Sequence, residues 1–419
     1  MSTNRGFSRY LLPAIVCVGL AAGLGACGGD ESDSGDSGSA SSDAKVSGGK
    51  SLACKDGAIT VGIAKAKSGG SSFFDIAGTR GAKVAFDQIN EKGGIKGCQI
   101  KIIEGDTKSD PAVAATVARD LINKGAQILL VPDDFDLGIA AARVGQKEGV
   151  LTLSTAASST EFAKAVGDKF FNSGPTTEQL GTAQAKFALD KDWKSTYMVV
   201  DEGLAYFTEQ VDAYTSTYEA GGGKIVGTDK VDSLSGKSDY SSTVSKIKSA
   251  NPKPDVINAQ MIFPPIGSFV KQLRAAGIDT PVLGNVTLQT RELPKLVGDA
   301  GSNDIYYSAQ VYFEGAGQDP KTDPDIAQFA KDYEAKFGNF PEQANGPGSY
   351  QALMAIEQAL QQKDVTDAAS AAAAIKAQKN VKVPGGELVR WEDGHAIWNI
   401  TINGLQDGKF QQVQVVPAE

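Results

Sequence analysis

From residue 58 onward, apolar and polar positions alternate in blocks that repeat along the chain. Short apolar runs read as strands buried on both faces: AITVGIA (58–64), CQIKIIEGD (98–106), AQILLV (126–131) and VLTLS (150–154). Between them, apolar residues recur at helical spacing over 72–94, 110–125 and 137–149, as in Ala82, Val84, Ala85, Phe86 and Ile89. The first of these helices is expected to stop at Gly93-Gly94, and the second to start at Asp110-Pro111. The pattern then restarts. STYMVVD (195–201), KIVGTDKV (224–231), PDVINAQ (254–260) and TPVLGNV (280–286) read as strands, with helices over 209–221, 240–250 and 266–277. Two long helical patterns follow near 325–337 and 347–362, then an alanine-rich one near 366–378. The last stretch, 386–416, changes to alternating strands with Asp393-Gly394 and Asp407-Gly408 turns. Strands alternating with helices predict an α/β fold: two Rossmann-like units in series, each built on a parallel sheet.

The start of the chain has a different character. Residues 1–10 carry Arg5 and Arg9 and no acid, and residues 11–26 are apolar or small. A basic region, a short apolar run and small residues before a cut site describe an export signal. Leu24-Gly25-Ala26-Cys27 resembles the lipobox of bacterial lipoproteins. The resemblance implies cleavage before Cys27, a diacylglycerol on its thiol, and loss of Cys17 with the signal peptide, residues 1–26. The following tract, GGDESDSGDSGSASSDAKVSGGK (28–50), has no aromatic residue and one branched aliphatic, Val46. It cannot bury enough apolar area to offset its chain entropy, so residues 27–54 are expected to be a flexible tether.

Charge narrows the partners. The 419 residues carry a net charge of −9, a poor match for nucleic acid or an anionic membrane surface. The only cysteines in the body are Cys54, just before the first strand, and Cys98, which opens the second. Neighbouring strands would bring them together, and in an exported chain a Cys54–Cys98 disulfide is expected, the alternative being two free buried thiols. Neither a metal site nor a cofactor is expected. The single histidine, His395, falls in the expected turn of a C-terminal hairpin, which gives it a surface role and leaves histidine-dependent catalysis without a base. The chain lacks G-x-S-x-G, H-E-x-x-H and C-x-x-C motifs. Two loops stand out: KSGGSS (67–72), able to hold an anion at a helix start, and the acidic cluster DDFD (133–136).

The stretches GTRGAKVAFDQINEKGGIKG, IKIIEGDTKSDPAVAATVARDLINKG, GSFVKQLRAAGIDTPVLGN and FAKDYEAKFGNFPEQANGPGSYQALMAIEQAL resemble the leucine-isoleucine-valine family of periplasmic binding proteins. The resemblance covers nearly everything after the tether. It implies a type I binding-protein fold, with two lobes joined by three crossover strands. The lobes would be 55–175 plus 311–378 and 176–310 plus 379–419. It implies a small-molecule ligand held in the cleft between lobes, ABC permease subunits as partners, no enzymatic activity, and a lipid-anchored Gram-positive form on the outer face of the cell membrane. The family's ligand-binding loop after the fourth strand points to Ala156, Ala157 and Ser158. Where the family offers serines to a carboxylate, this chain has Asp133, Asp134 and Phe135, and two acids would repel that group. Asp133 and Asp134 also fit as caps of the next helix, and Ser71 and Ser72 as caps of the first, with or without ligand contact. Tyr206 and Phe263 match cleft-facing aromatic positions of the second lobe. Asn285, Val286 and Thr287 replace an acid that pairs with a ligand ammonium. The resemblance therefore implies a neutral, hydroxylated or cationic ligand rather than a branched-chain amino acid. A ligand-sensing module reporting to a separate membrane partner is the competing reading.

Overall fold

The computed structural model describes residues 49–298, 301–316, 319–341 and 343–418. The expected signal peptide, Cys17 and the lipidation site Cys27 lie outside the described residues. In the first half, strands β1 (Ala58–Lys65), β2 (Gln99–Asp106), β3 (Ile128–Leu130), β4 (Leu151–Ser154) and β5 (Phe170–Asn172) alternate with helices α1 (Ser72–Glu91), α2 (Pro111–Asn123), α3 (Phe135–Lys147) and α4 (Phe162–Val166). The second unit opens with α5 (Thr177–Asp190) and runs through β6 (Ser195–Asp201), α6 (Ala205–Ala220), β7 (Lys224–Val231), α7 (Ser241–Ser249) and β8 (Val256–Gln260). It continues through α8 (Pro265–Ala275), β9 (Val282–Gly284), α9 (Leu293–Val297) and β10 (Ile305–Ala309). Helices α10 (Pro324–Phe337), α11 (Asn345–Leu360) and α12 (Ala368–Lys376) follow. The last strands are β11 (Lys379–Val383), β12 (Gly386–Glu392), β13 (His395–Trp398), β14 (Ile400–Gln406) and β15 (Lys409–Val416).

These strands form two sheets, ordered β11-β12-β13-β5-β4-β3-β1-β2 and β15-β14-β10-β9-β8-β6-β7. The parallel part of each has the same doubly wound order, the first strand of the unit lying between the second and the third. The apolar runs become strands because both faces are covered. Residues 61–66 of β1 and its end, and every residue of β3, β4, β6, β8 and β10, are buried. Helix α1 packs on α11 at a close crossing: a β-carbon on Gly81 would stand 1.9 Å from the Gly346 carbonyl oxygen. Among the described residues no helix is long and apolar enough to cross a membrane.

The chain passes between the sheets three times, after β5, after β10 and after β13. The first two passages leave β5 and β10 at the C-terminal edges of their parallel sheets, and the third runs from β13, parallel to β5, into β14, antiparallel to β10, so the C-terminal edges of the two sheets are the edges that are joined.

Three expectations are corrected. Residues 379–398 were assigned to the second lobe, but β11, β12 and β13 extend the first sheet, β13 pairing with β5 through His395 and Asn172. Only from Ile400 does the chain enter the second sheet, where β14 pairs with β10. The expected tether is also too long. Leu52 is buried, its amide donates to the Thr366 carbonyl, and Lys50 is held by the Gly149 carbonyl, so residues 49–54 pack on the first unit. Finally, His395 is buried rather than exposed. The turn is made by Asp393 and Gly394, both with positive φ (47° and 81°), and His395 is the first residue of the strand that follows.

Cys54 and Cys98 lie together at the N-terminal ends of β1 and β2, 5.7 Å apart at Cα.

Candidate functional site

At the first sheet's C-terminal edge, a charge sits where the apolar pattern ends. Lys65 closes β1 and is 1% exposed. Its ammonium donates to Asp133 Oδ2 at 2.5 Å and to Thr155 Oγ1 at 2.9 Å. The other oxygen of Asp133 accepts from the amides of Thr155 (2.9 Å) and Ala156 (3.1 Å) and from the hydroxyls of Ser154 and Thr155. Asp75, in the first turn of α1, accepts from the amides of Ala66 (2.7 Å) and Asp133 (3.0 Å) and completes the cluster. Burial pushes the Asp75 carboxyl up to about 6, against the pull of Lys65. The cluster fits beneath α1 because residue 78 is glycine: a β-carbon there would stand 2.6 Å from Asp133 Oδ2.

The remaining first-sheet candidates surround this cluster. Asp134 caps α3 through the Leu137 amide. Phe135 packs edge-on against Phe162. Ala156 and Ser158 are half-buried and Ala157 is buried, and the Ser158 carbonyl accepts from the Thr177 amide at the first crossing. Ser71 occupies the N-cap position of α1 without capping it. Its hydroxyl meets the Ser109 hydroxyl at 2.9 Å, and Ser72 donates to the Gly69 carbonyl, so neither serine caps the helix by its side chain.

At the second sheet's edge most polar side chains are also occupied. Asp201 accepts from the amides of Gly203, Ser233 and Leu234 and from the Ser233 hydroxyl. Asn285 is fully buried. It donates to the Met261 carbonyl and accepts from the Thr287 amide, tying the loop after β9 to the loop after β8. Thr287 donates to the same carbonyl. Tyr206 is half-buried, and its hydroxyl is turned inward beside Val286. Phe263 is half-buried and packs on the core of the second unit. Gln184 of α5 accepts from Asn258 and Gln260 and donates to Ser308, leaving Gln260 Oε1 buried without a partner.

The crossing after β10 carries residues that sequence reasoning did not single out. Glu314 is 1% exposed and accepts from the Tyr307 hydroxyl (2.7 Å) and the Phe313 amide (3.1 Å). Burial pushes its carboxyl up to about 7. Arg291 donates to the carbonyls of Glu314 and Ala316 and lies 3.3 Å above the Phe340 ring, joining second-unit and first-unit elements. Lys65 and Asp75 also escaped notice. Their signal was a lysine closing an apolar strand with an aspartate ten residues on.

Four large apolar side chains stand well exposed among the described residues: Phe73, Leu204, Leu234 and Val415. The first three lie beyond the C-terminal ends of β1, β6 and β7, on the edges the crossings join. A separate groove of about 330 Å³ lies between α5, β12, β13 and the chain end, lined by Gln179, Arg390, His395 and Trp398 among others. None of the sequence-predicted site residues lines it. Among the described residues no group of three His, Cys, Asp or Glu side chains could hold a metal ion.

Residues 58–409 match the profile of the periplasmic binding protein family. The chain is similar to the Leu/Ile/Val-binding protein BraC3 of Rhizobium johnstonii, 24% identical over 362 residues that cover 86% of this chain and 94% of the relative. It is similar in structure to the substrate binding protein LivJ of Streptococcus pneumoniae, solved in complex with isoleucine (TM-score 0.70, 21% identity, 86% of this chain and 99% of that one). It is also similar to a solute binding protein from R. palustris solved in complex with benzoate (TM-score 0.67, 20% identity, 85% and 96% covered). The profile match, and two doubly wound sheets joined three times at their C-terminal edges, lead to one conclusion: this chain belongs to the periplasmic binding protein family and has its type I fold.

Proposed function

We propose that this protein is an extracytoplasmic solute-binding lipoprotein that captures a small polar molecule between its two lobes and hands it to an ABC importer. Proteins of this family bind solutes and catalyse no reaction. One observation carries the reading. The two sheet edges joined by the crossings bear exposed apolar side chains, Phe73 on one and Leu204 and Leu234 on the other. Apolar groups left in water on two joined edges are what a cleft that closes over a ligand would present. The positions proposed to face the ligand are Ser71, Ser72, Asp134, Phe135, Ala156 and Ser158 on the first lobe and Tyr206 and Phe263 on the second, while Ala157 and Asn285, both buried, shape the loops behind them.

A thermal-shift screen against amino acids, amides, polyamines, nucleosides and aromatic acids tests the reading. One class should raise the melting temperature saturably, and a flat response across the whole screen would count against it. Lipidation at Cys27 places the protein on the outer face of the cell membrane. Metabolic labelling with a radioactive fatty acid should mark the wild type and miss a Cys27→Ala variant. A Cys54–Cys98 bond accompanies export, and intact-mass measurement without reductant should find no free thiol in the mature protein.

A further inference from the structure

Lys65 Nζ, the amides of Thr155 and Ala156, and the hydroxyls of Ser154 and Thr155 converge on one carboxylate at the C-terminal ends of β1, β3 and β4. Such a set, one cation with two backbone N–H groups and two hydroxyls, is a binding site for a carboxylate. Here a side chain of the protein already fills it. The Asp133 side chain is wholly buried while its residue as a whole is half-buried, so its backbone meets solvent and its carboxylate points inward. Thr155 Oγ1 is held in turn by Ser349 Oγ at 2.7 Å, which fixes the donors whether or not a ligand is present.

We propose that Asp133 is a resident anion: it occupies the carboxylate site of the first lobe, so that the protein refuses carboxylate ligands there and takes an uncharged or cationic polar solute. The inference rests on the solute-binding reading above and deepens it by naming a residue that sets ligand class. Of the three acids in DDFD, the adjacent pair Asp133 and Asp134 do not act alike. Asp134 is committed to the α3 N-terminus, whereas Asp133 cancels Lys65 and consumes the amide donors. A carboxylate arriving from solution would find no free donor here and would have to displace an internal ion pair.

The experiment removes the resident anion and offers a free one. Asp133→Ala is melted in sodium acetate, benzoate or leucine and in sodium chloride of equal ionic strength, beside the wild type and Lys65→Met/Asp133→Ala. Acetate and benzoate should raise the melting temperature of Asp133→Ala saturably, and leave both the wild type and the double variant at their chloride values. A wild type stabilised by leucine or benzoate overturns the inference, and so does a folded Asp133→Ala that ignores acetate. Should Asp133→Ala fail to fold, titration of the wild type followed by amide nitrogen NMR decides. The Thr155 and Ala156 signals should not move with acetate or leucine, and a saturable shift of either overturns the proposal. Wild-type protein that binds no solute of any class, while acetate still rescues Asp133→Ala, counts against the solute-binding reading and leaves the resident anion standing.

Discussion

Replacing Glu314 with glutamine tests whether a buried acid at a crossing between the sheets limits stability at neutral pH. The carboxyl is raised from 4.5 to about 7 by burial, despite donors from Tyr307 and Phe313 that favour its charged form. A raised folded pKa means that the folded chain holds the proton more tightly than the unfolded one. The stability this provides is complete below pH 4.5 and is lost as pH rises through 7. At about 1.4 kcal/mol per pH unit, the loss between pH 4.5 and 8 is on the order of 3 kcal/mol. An unfolding entropy of about 2.1 cal/mol/K per residue over roughly 365 residues gives about 0.8 kcal/mol/K, so the loss corresponds to about 4 °C in melting temperature. Glutamine has nearly the same shape and no charge. Its carbonyl accepts from the Phe313 amide, and its amide donates to the Tyr307 hydroxyl, which can reverse its role. Melting curves of both proteins from pH 4.5 to 8 should show the variant gaining about 4 °C on the wild type as pH rises. A gap that stays constant, or that shrinks with rising pH, would refute the assignment of this loss to Glu314.

Lys65→Met leaves Asp133 and Asp75 buried without their cation and should cost about 3–5 kcal/mol at pH 8. Denaturant titration should find a smaller loss at pH 4.5, where Asp75, its carboxyl pushed up to about 6 by burial, takes up a proton. Gly81→Ala drives a β-carbon into the Gly346 carbonyl and should lower stability by about 2 kcal/mol or more, even though alanine favours the helix by about 1 kcal/mol. Gly346→Ala meets nothing closer than 3.4 Å and should be neutral or slightly stabilising in the same titration. Paired Cys54→Ser and Cys98→Ser changes open a loop with a sequence separation of 44 and should cost about 4 kcal/mol in chemical denaturation of the oxidised protein.

The parallel sheets were legible because a strand covered on both faces announces itself as an apolar run, and β6 and β7 fall on the expected residues. Helix α5 was missed because its buried side includes Thr177, Gly181 and Gln184, so its apolar stripe is broken. Strands β12 and β13 read as strands but were given to the wrong sheet, whereas β14 and β15 lie in the expected one. The pairing of β13 with β5 spans more than two hundred residues, and no local pattern encodes it. At the C-terminal strand ends, DDFD is legible as an acidic loop, and the chemistry within it is not. DDFD reads as three like charges, yet the fold turns Asp133 inward to Lys65, a residue 68 positions away. Spacing on the chain cannot report that distance. His395 was misplaced by one residue, because a turn built on Asp393 and Gly394 ends just before it.

The late return of the chain to the first sheet also sets an order in time. Strand β13 joins β5 beside Asn172, and β12 and β11 stack outward from it. The second sheet closes later still, with β14 and β15. A chain emerging N-terminus first therefore holds an unfinished sheet edge at β5, and another at β10, until its last forty residues appear. Pairings this distant in sequence form slowly. Neither sheet can close until these C-terminal strands arrive, so both edges stay unpaired for most of the chain's synthesis.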